Sequence, residues 1–201
     1  MNWIVVIIGS YLLGSIPFSH IFPKIKGKDV RKSGTKNIGA TNVLVVAGPL
    51  MGALALIGDI GKGFLAVSLV NYYFPDPWLV VFAGVAAVIG HDFSVFLKFK
   101  GGKGVATSGG ALFAFDPIFA TVVLLLWILL IIITRYFILS SLIILASLPV
   151  MMLVAGKTIE YVTFAVLIFI LALYTHREDI RRIISGKEMK TRESIKHYLG
   201  K

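Results

Sequence analysis

Six apolar runs, at residues 3–22, 49–74, 78–99, 118–134, 138–155 and 159–174, carry so few charges that they leave this chain little choice of fold. A bilayer crossing takes about 20 apolar residues, and each run approaches or exceeds that length. With 57% hydrophobic and 15% charged residues in a chain of 201, and a mean hydropathy of +0.89, the apolar surface exceeds what a soluble core can hide. The expected fold is an all-α integral membrane protein, a single polytopic membrane domain over residues 1–201. No internal repeat, low-complexity tract or soluble domain is visible. Residues 1–4 carry no basic residue and no A-x-A site follows the first run, so the N-terminus does not read as a signal peptide. The absence of cysteine excludes disulfides, thiolate metal sites and a cysteine nucleophile.

The net charge of +10 is gathered in three blocks, residues 24–36, 98–103 and 177–201. Such blocks attract anionic lipid or an anionic substrate; nothing in them suggests nucleic acid. If all three face the cytoplasm, as basic loops prefer, an even number of crossings separates Lys103 from Arg177. Only three long runs lie there. The fourth crossing then falls to the short stretch 105–115, ended by the turn signal Asp116-Pro117. About seven transmembrane helices follow, with the N-terminus outside and the C-terminus cytoplasmic. Pro75-Asp76-Pro77 becomes an external turn, Arg135 a boundary residue, and Lys157 with Glu160 an external turn pair. Residues 105–115 are too few to span alone, so they need the preceding glycine-rich loop or a thinned membrane.

That loop, Gly101-Gly102-Lys103-Gly104, carries the chemistry. Its glycines leave main-chain N–H groups open to an anion, and the Lys103 ammonium supplies a point charge. It is not a Walker loop, because Val105 follows Gly104 and no Ser or Thr follows Lys103. The same residues also read as a flexible basic turn obeying the topology rule. Residues 24–42, KIKGKDVRKSGTKNIGATN, mix cations with Gly34, Thr35, Asn37, Gly39, Thr41 and Asn42, donors suited to an oxyanion. The two segments together imply convergence on one anionic ligand.

Asp59 and Lys62 lie three residues apart on one helical face and can neutralise each other. Either the pair only fixes packing, or Lys62 lines an anion pocket and Asp59 holds it in place. Gly48, Gly52, Gly58, Gly61 and Gly63 form a small-residue stripe around them that permits close helix packing. His91, near a helix end, is a structural hydrogen-bonder or a catalyst. His176 and Arg177 open the last basic block, either as snorkelling interfacial residues or as part of a site.

Several blocks then appear in order along essentially the whole chain: Gly14-Ser15-Ile16-Pro17, Asp29-x-Arg31, Asn37-x-Gly39-Ala40-Thr41-Asn42, Asp59-x-x-Lys62-Gly63 and Gly90-His91. They continue with Phe99-Lys100-Gly101-Gly102-Lys103-Gly104-Val105-Ala106-Thr107, His176-Arg177-Glu178 with Ile180, and Gly186-x-Glu188. This set resembles the bacterial acyl-phosphate:glycerol-3-phosphate acyltransferase family, PlsY type. The resemblance implies a seven-helix enzyme of the bacterial plasma (inner) membrane, its active site facing the cytoplasm. Such an enzyme moves a fatty acyl group from acyl phosphate to the first hydroxyl of glycerol 3-phosphate, giving lysophosphatidic acid for phospholipid synthesis, and phosphate. The implied partners are glycerol 3-phosphate, acyl phosphate and membrane lipid; no cofactor or metal is implied. Carried over by position, the candidates are Thr35, Asn37, Lys103, Ser141, His176 and Asp179; with the reading of the residues themselves, Lys103, Asn37 and His91 are candidate catalytic residues. Thr35, Lys36, Asn42, Lys62, Gly101, Gly102, Gly104, Ser141, His176, Arg177 and Asp179 are candidate substrate-binding residues.

Four places depart from the family's usual pattern. Thr35-Lys36-Asn37 stands where Ser-Gly-Asn is usual, Val45 where an arginine is frequent, Ile138 where a serine is frequent, and Asp179 where an asparagine is usual. Thr35 keeps a hydroxyl and Lys36 offers a replacement cation, though not a bidentate guanidinium. Asp179 repels a phosphate unless it pairs with Arg177 or is protonated. Acyl phosphate is already activated, so the protein has to hold two anions together and stabilise the developing oxyanion and leaving phosphate. No side chain need become acylated. There is no nucleophile elbow, and an H-x-x-x-x-D pattern fails at His91, which meets Phe96, and at His176, which meets Arg181. The acceptor proton goes to His91 or to a substrate phosphate oxygen, and the resemblance favours the second. Two other readings stand. A small organic-phosphate transporter would use Asp59 and Lys62 as a pathway, but no inverted repeat is visible and the candidate ligands cluster on one face. A non-catalytic or altered-substrate paralogue rests on Val45 and Asp179.

Overall fold

Proline, glycine and capping aspartates divide the apolar sequence into helices. The computed structural model describes residues 3–191 and 193; residues 1–2 and the end of the third basic block lie outside the described residues. Helix α1 (Trp3–Ser15) stops where Pro17 biases Ile16 away from helical backbone, and the run restarts as α2 (Phe18–Ile25). The first expected crossing is therefore a broken helix. The segment 24–42 ends in a further helix, α3 (Ala40–Ala47), stopped at Gly48, whose φ of +89° suits only glycine. Helix α4 (Pro49–Tyr73) starts on a proline. Helices α5 (Pro77–Asp92) and α7 (Pro117–Thr134) do likewise, each with an aspartate cap. Asp76 accepts from the Leu79 N–H at 3.0 Å, and Asp116 from the Phe119 N–H at 2.9 Å. Helix α5 stops at Asp92, so the rest of the run 78–99 is a 3-10 turn, Val95–Leu97, leading into the glycine-rich loop.

Helix α6 (Val105–Phe115) follows that loop, and α8 (Phe137–Val154), α9 (Ile159–Thr175) and α10 (Arg177–Ile184) complete the chain. Among the described residues every regular element is a helix. By length and composition five segments can cross a membrane: α1 with α2, α5 with its 3-10 turn, and α4, α7 and α8 singly. A sixth is α9 with α10, bent by 69°. The seventh apolar run is α6, whose 11 residues extend only about 16 Å.

Contacts at the helix ends sort the connections into two groups. Trp3 lies against Phe82 with ring centroids 6.2 Å apart, while the Tyr11 hydroxyl donates to the Phe93 carbonyl at 2.8 Å, so α1 runs parallel to α5. At one end, the first loop, the glycine-rich loop and α10 meet. At the other, Lys157 in the α8–α9 turn pairs with Asp116 at the α6–α7 corner, Nζ to Oδ2 2.5 Å, and not with Glu160. That corner reaches across to the α8–α9 turn and claims the ammonium.

Helices approach closely where glycine leaves room. Gly52 lies against Leu44, Gly58 against the Phe18 ring and Gly63 against the Thr107 carbonyl, whereas Gly48 and Gly61 face open space. The five-glycine stripe is thus only partly a packing surface. The main core joins α4, α5, α6, α8 and α9 around Val67, Val81, Ala111, Leu148 and Phe164. A Gly63→Val side chain would stand where the Thr107 carbonyl oxygen sits, an overpacking that costs typically 1–3 kcal/mol. The variant is expected to unfold several degrees below the parent in a detergent melt; an unchanged midpoint would mean that α4 and α6 do not need this contact.

Candidate active site

A carboxylate inside a membrane helix has to be neutralised locally, and Asp59 of α4 is surrounded accordingly. Asp59 is 1% exposed and Lys62 2%. Lys62 Nζ lies 3.2 Å from Asp59 Oδ1 and donates to the Ile16 carbonyl at 2.9 Å, an acceptor made available by the α1–α2 break. The Ser19 hydroxyl donates to Asp59 Oδ2 at 2.5 Å, and His91 Nδ1 lies 3.5 Å from Oδ1. Three elements, α2, α4 and α5, are tied at one carboxylate. A narrow cleft opens over this group, lined by Ser19, Ile38, Asp59, Lys62, His91 and Gly102.

The glycine-rich loop forms one wall of the cleft. The Gly102 N–H donates to the His91 carbonyl at 3.0 Å. Gly101 rests on the carbonyls of His91 and Asp92, and Gly102 is wedged between His91 Nε2 and the Ile38 carbonyl. A side chain at either position would push the loop away. Gly104, at φ +73°, turns the chain into α6 without a side-chain cap, and the positive end of α6 starts between the buried Asp92 carboxylate and Lys103. The first loop and the glycine-rich loop therefore meet, at Ile38 and Gly102, as the two sequences imply.

Lys103 points the other way, to α10. Its ammonium bonds Asp179 Oδ2, while Arg182 bonds Asp179 Oδ1 and donates through Nε to Glu188 Oε2 at 2.8 Å. His176 is buried, its Nδ1 3.0 Å from the Ala172 carbonyl; a carbonyl only accepts, so Nδ1 carries the proton. The ring is near enough to Lys103 and Asp179 to feel both charges. Arg177 does not pair with Asp179. Residues two apart on a helix face different directions, and its guanidinium stacks on Tyr174 at 4.6 Å and donates to the Tyr174 carbonyl at 2.9 Å.

In the first loop, Asn42 is buried and its amide is fully engaged. Its two N–H bonds donate to the carbonyls of Val30 at 2.9 Å and Asn37 at 2.8 Å, one of them shared with the Ser33 carbonyl at 3.2 Å, and its oxygen accepts from the Thr35 N–H at 2.9 Å. Asn42 is thus the clasp of the loop. Asp29 takes two guanidinium bonds from Arg31, at 3.0 and 2.9 Å, and these hold its carboxyl well below the usual carboxylate range. Ile38 lines the cleft, whereas Thr35, Lys36 and Asn37, which precede it in the chain, are not among the lining residues. Lys36 is exposed, with a φ of +61°. Val45 is half-buried on α3.

Ser141 is not brought to Lys103 by any contact. It is buried on α8, where it accepts from Trp127 Nε1 at 3.0 Å and donates to the Phe137 carbonyl at 2.9 Å. Sequence reasoning missed Ser19, the Ile16 carbonyl and Arg182. A hydroxyl inside an apolar run is a signal for Ser19, and the three-residue spacing from Asp179 is one for Arg182. Nothing in sequence marks a freed carbonyl. Among the described residues no three His, Asp or Glu side chains are grouped to hold a metal. What the arrangement can do is receive an anion beside Lys103 and the start of α6, over a buried, neutralised acid–base group.

Residues 4–186 match the family model described as glycerol-3-phosphate acyltransferase. The glycerol-3-phosphate acyltransferase of Aquifex aeolicus is 40% identical over 189 residues, which cover 94% of this chain and 98% of that protein. That of Thermosipho melanesiensis is 40% identical over 201 residues, covering 100% of this chain and 98% of the relative. Among solved structures, the glycerol 3-phosphate form of PlsY (YgiH), an integral membrane glycerol 3-phosphate acyltransferase, superposes with a TM-score of 0.88 at 39% identity, covering 94% of each chain. Its lysophosphatidic acid form superposes with a TM-score of 0.88 at 38% identity, covering 96% of this chain and 98% of that one.

Because Asn42 satisfies four main-chain groups of the first loop at once, Asn42→Ala is expected to cost about 3 kcal/mol, near 1 kcal/mol for each bond not replaced by water. Limited trypsin digestion in detergent checks this: cleavage among Lys28, Arg31, Lys32 and Lys36 should accelerate strongly, and an unaltered digestion pattern would show that the loop holds its shape without the clasp.

Proposed function

The chain belongs to the glycerol-3-phosphate acyltransferase family, and from that premise we propose how its own residues move an acyl group from acyl phosphate to the first hydroxyl of glycerol 3-phosphate. The observation that carries the reading is the seat of the glycine-rich loop, packed on the end of α5, against Ile38 of the first loop, and joined through Lys103 to α10. Segments far apart in sequence are thereby gathered around the one short loop that carries Lys103. Both substrates are phosphates. Their mutual repulsion is the obstacle, and fixed positive charge in a desolvated site lowers it.

In this reading Lys103, the main-chain N–H groups of Gly101 and Gly104, and the start of α6 receive phosphate oxygens, with His176 beside them, while Gly102, whose N–H is held by the His91 carbonyl, seats the loop. Thr35, Lys36 and Asn37 guard the mouth, Asn37 supplying a neutral amide near the reacting groups. Lys62 lines the floor. The glycerol hydroxyl oxygen attacks the acyl carbonyl, the bond from carbonyl carbon to phosphate oxygen breaks, and phosphate departs. The hydroxyl proton passes to a phosphate oxygen. The position of His91 supports that route over a histidine base: Nδ1 is turned to Asp59, and Nε2 is covered by Gly102. His91 then acts by positioning the loop. Asn42 serves by holding Thr35 and Asn37 in place, while Ser141 and Arg177 serve packing and interface.

Seven crossings, with the N-terminus outside and the site cytoplasmic, fit this arrangement in a bacterial inner membrane. The glycine-rich loop, the first loop and α10 share one end, whereas Asp116 and Lys157 share the other. Helix α6 links the two ends, and its short length is made up by a loop that sinks to the level of His91.

Lys103→Ala is expected to lower kcat/KM for glycerol 3-phosphate by 10²–10³-fold, about 3 kcal/mol, the cost of one lost donor to a developing anion. Phosphate release from acyl phosphate by the purified variant checks it, and near-parental turnover would remove Lys103 from the chemistry. The chain has no cysteine, so Lys100→Cys and Thr158→Cys can be labelled singly in intact cells. An impermeant thiol reagent should reach the second from outside and the first only after the membrane is opened; external labelling of position 100 would reverse the orientation.

A further inference from the structure

Asp179 is 1% exposed, yet its two oxygens hold two cations from different places, Lys103 of the glycine-rich loop and Arg182 one turn further along α10. A buried anion between two cations occupies the kind of position a phosphate oxygen would take. Lys103 cannot give its full charge to a substrate while this carboxylate keeps it. Conversely, a carboxylate that lost Lys103 to a phosphate would be left buried beside a dianion, which is strongly unfavourable unless another cation stays with it. Arg182 is placed to stay. It has its own bond to Asp179, and Glu188 braces its guanidinium from the far side at 2.8 Å.

We propose that Asp179 is an internal occupant of the phosphate position, a latch on Lys103, and that Arg182 is a positioning residue that keeps Asp179 neutralised when Lys103 passes to the acceptor phosphate. No covalent bond changes in this step; ionic partners are exchanged. The proposal rests on the reading of Lys103 as a phosphate ligand. It adds that affinity for phosphate is set by competition within the chain.

The test uses the full chain in detergent and two readouts. Calorimetry with inorganic phosphate needs no turnover. Asp179→Asn should bind inorganic phosphate at least fivefold more tightly than the parent, because Lys103 is released. Arg182→Gln should bind it at least tenfold more weakly, because Asp179 then depends on Lys103 alone; Arg182→Lys should recover most of that loss, and adding Asp179→Asn to Arg182→Gln should recover it too. In steady-state assays with acyl phosphate, Arg182→Gln should raise KM for glycerol 3-phosphate by a similar factor while kcat changes less than threefold. If Asp179→Asn binds phosphate no more tightly, the latch is refuted even where Arg182→Gln fails to fold. A kcat loss at constant KM in Arg182→Gln, or a defect that persists in the double variant, refutes the role of Arg182. Absence of acceptor-dependent phosphate release by the parent protein would instead overturn the enzymatic reading, and the calorimetry would still decide the latch.

Discussion

Removing one partner from a buried ion pair costs on the order of 3–5 kcal/mol, because the surviving charge is left without compensation. Asp59 at 1% exposure is under that constraint, and its partners come from three separate places: Lys62 one turn along α4, Ser19 on α2 and His91 on α5. Each tie fixes something further out. Lys62 reaches the Ile16 carbonyl and so holds the kink at Pro17. His91 carries the glycine-rich loop on its own backbone carbonyl and ring. The cleft exists in this form because one carboxylate has to be surrounded.

The second organising element is closeness. Membrane helices gain little from apolar burial against one another, since lipid is equally apolar, and depend on packing at short range. Gly14 against the Ala87 backbone, Gly90 against the Tyr11 carbonyl and Gly110 against the Ile60 carbonyl bring α1 onto α5 and α6 onto α4. Those approaches keep the polar groups of neighbouring helices within reach. Wider spacing would separate the Ser94 hydroxyl from the Ser15 carbonyl, now 2.6 Å apart.

The apolar runs and several helix starts were legible because membrane solvation acts on every residue of a run, and because Pro49, Pro77 and Pro117 leave local marks, whereas the break at Pro17 and the stop at Asp92 were not. The pairing of Asp59 with Lys62 was legible for a similar reason: both partners sit on one helix. Pairings across the chain were not. Asp179 finds Lys103 rather than Arg177, and Lys157 finds Asp116 rather than Glu160, because such choices depend on how loops fold back. Asn42 illustrates a different difficulty. Its residue type suits a ligand and a loop clasp equally, and only the surrounding carbonyls of Val30, Ser33 and Asn37 assign it to the second. Segment 24–42 likewise hid the start of α3, since its hydrophilic residues read as loop.

The shortness of α6 has a geometric consequence. With 11 residues, it is about half as long as the hydrocarbon slab is thick, and its two ends are pinned, by Lys103 at one and by the Asp116–Lys157 pair at the other. A rod held at both ends works as a depth gauge. On the proposed arrangement it sets how far below the headgroup plane the glycine-rich loop lies, and hence the level proposed for the meeting of a water-borne acceptor and a lipid-borne donor. One residue inserted into α6 would shift that level by about 1.5 Å and swing Lys103 about 100° around the helix axis. On that arrangement helix length specifies reaction depth, fixed by counting residues rather than by the identity of any one of them.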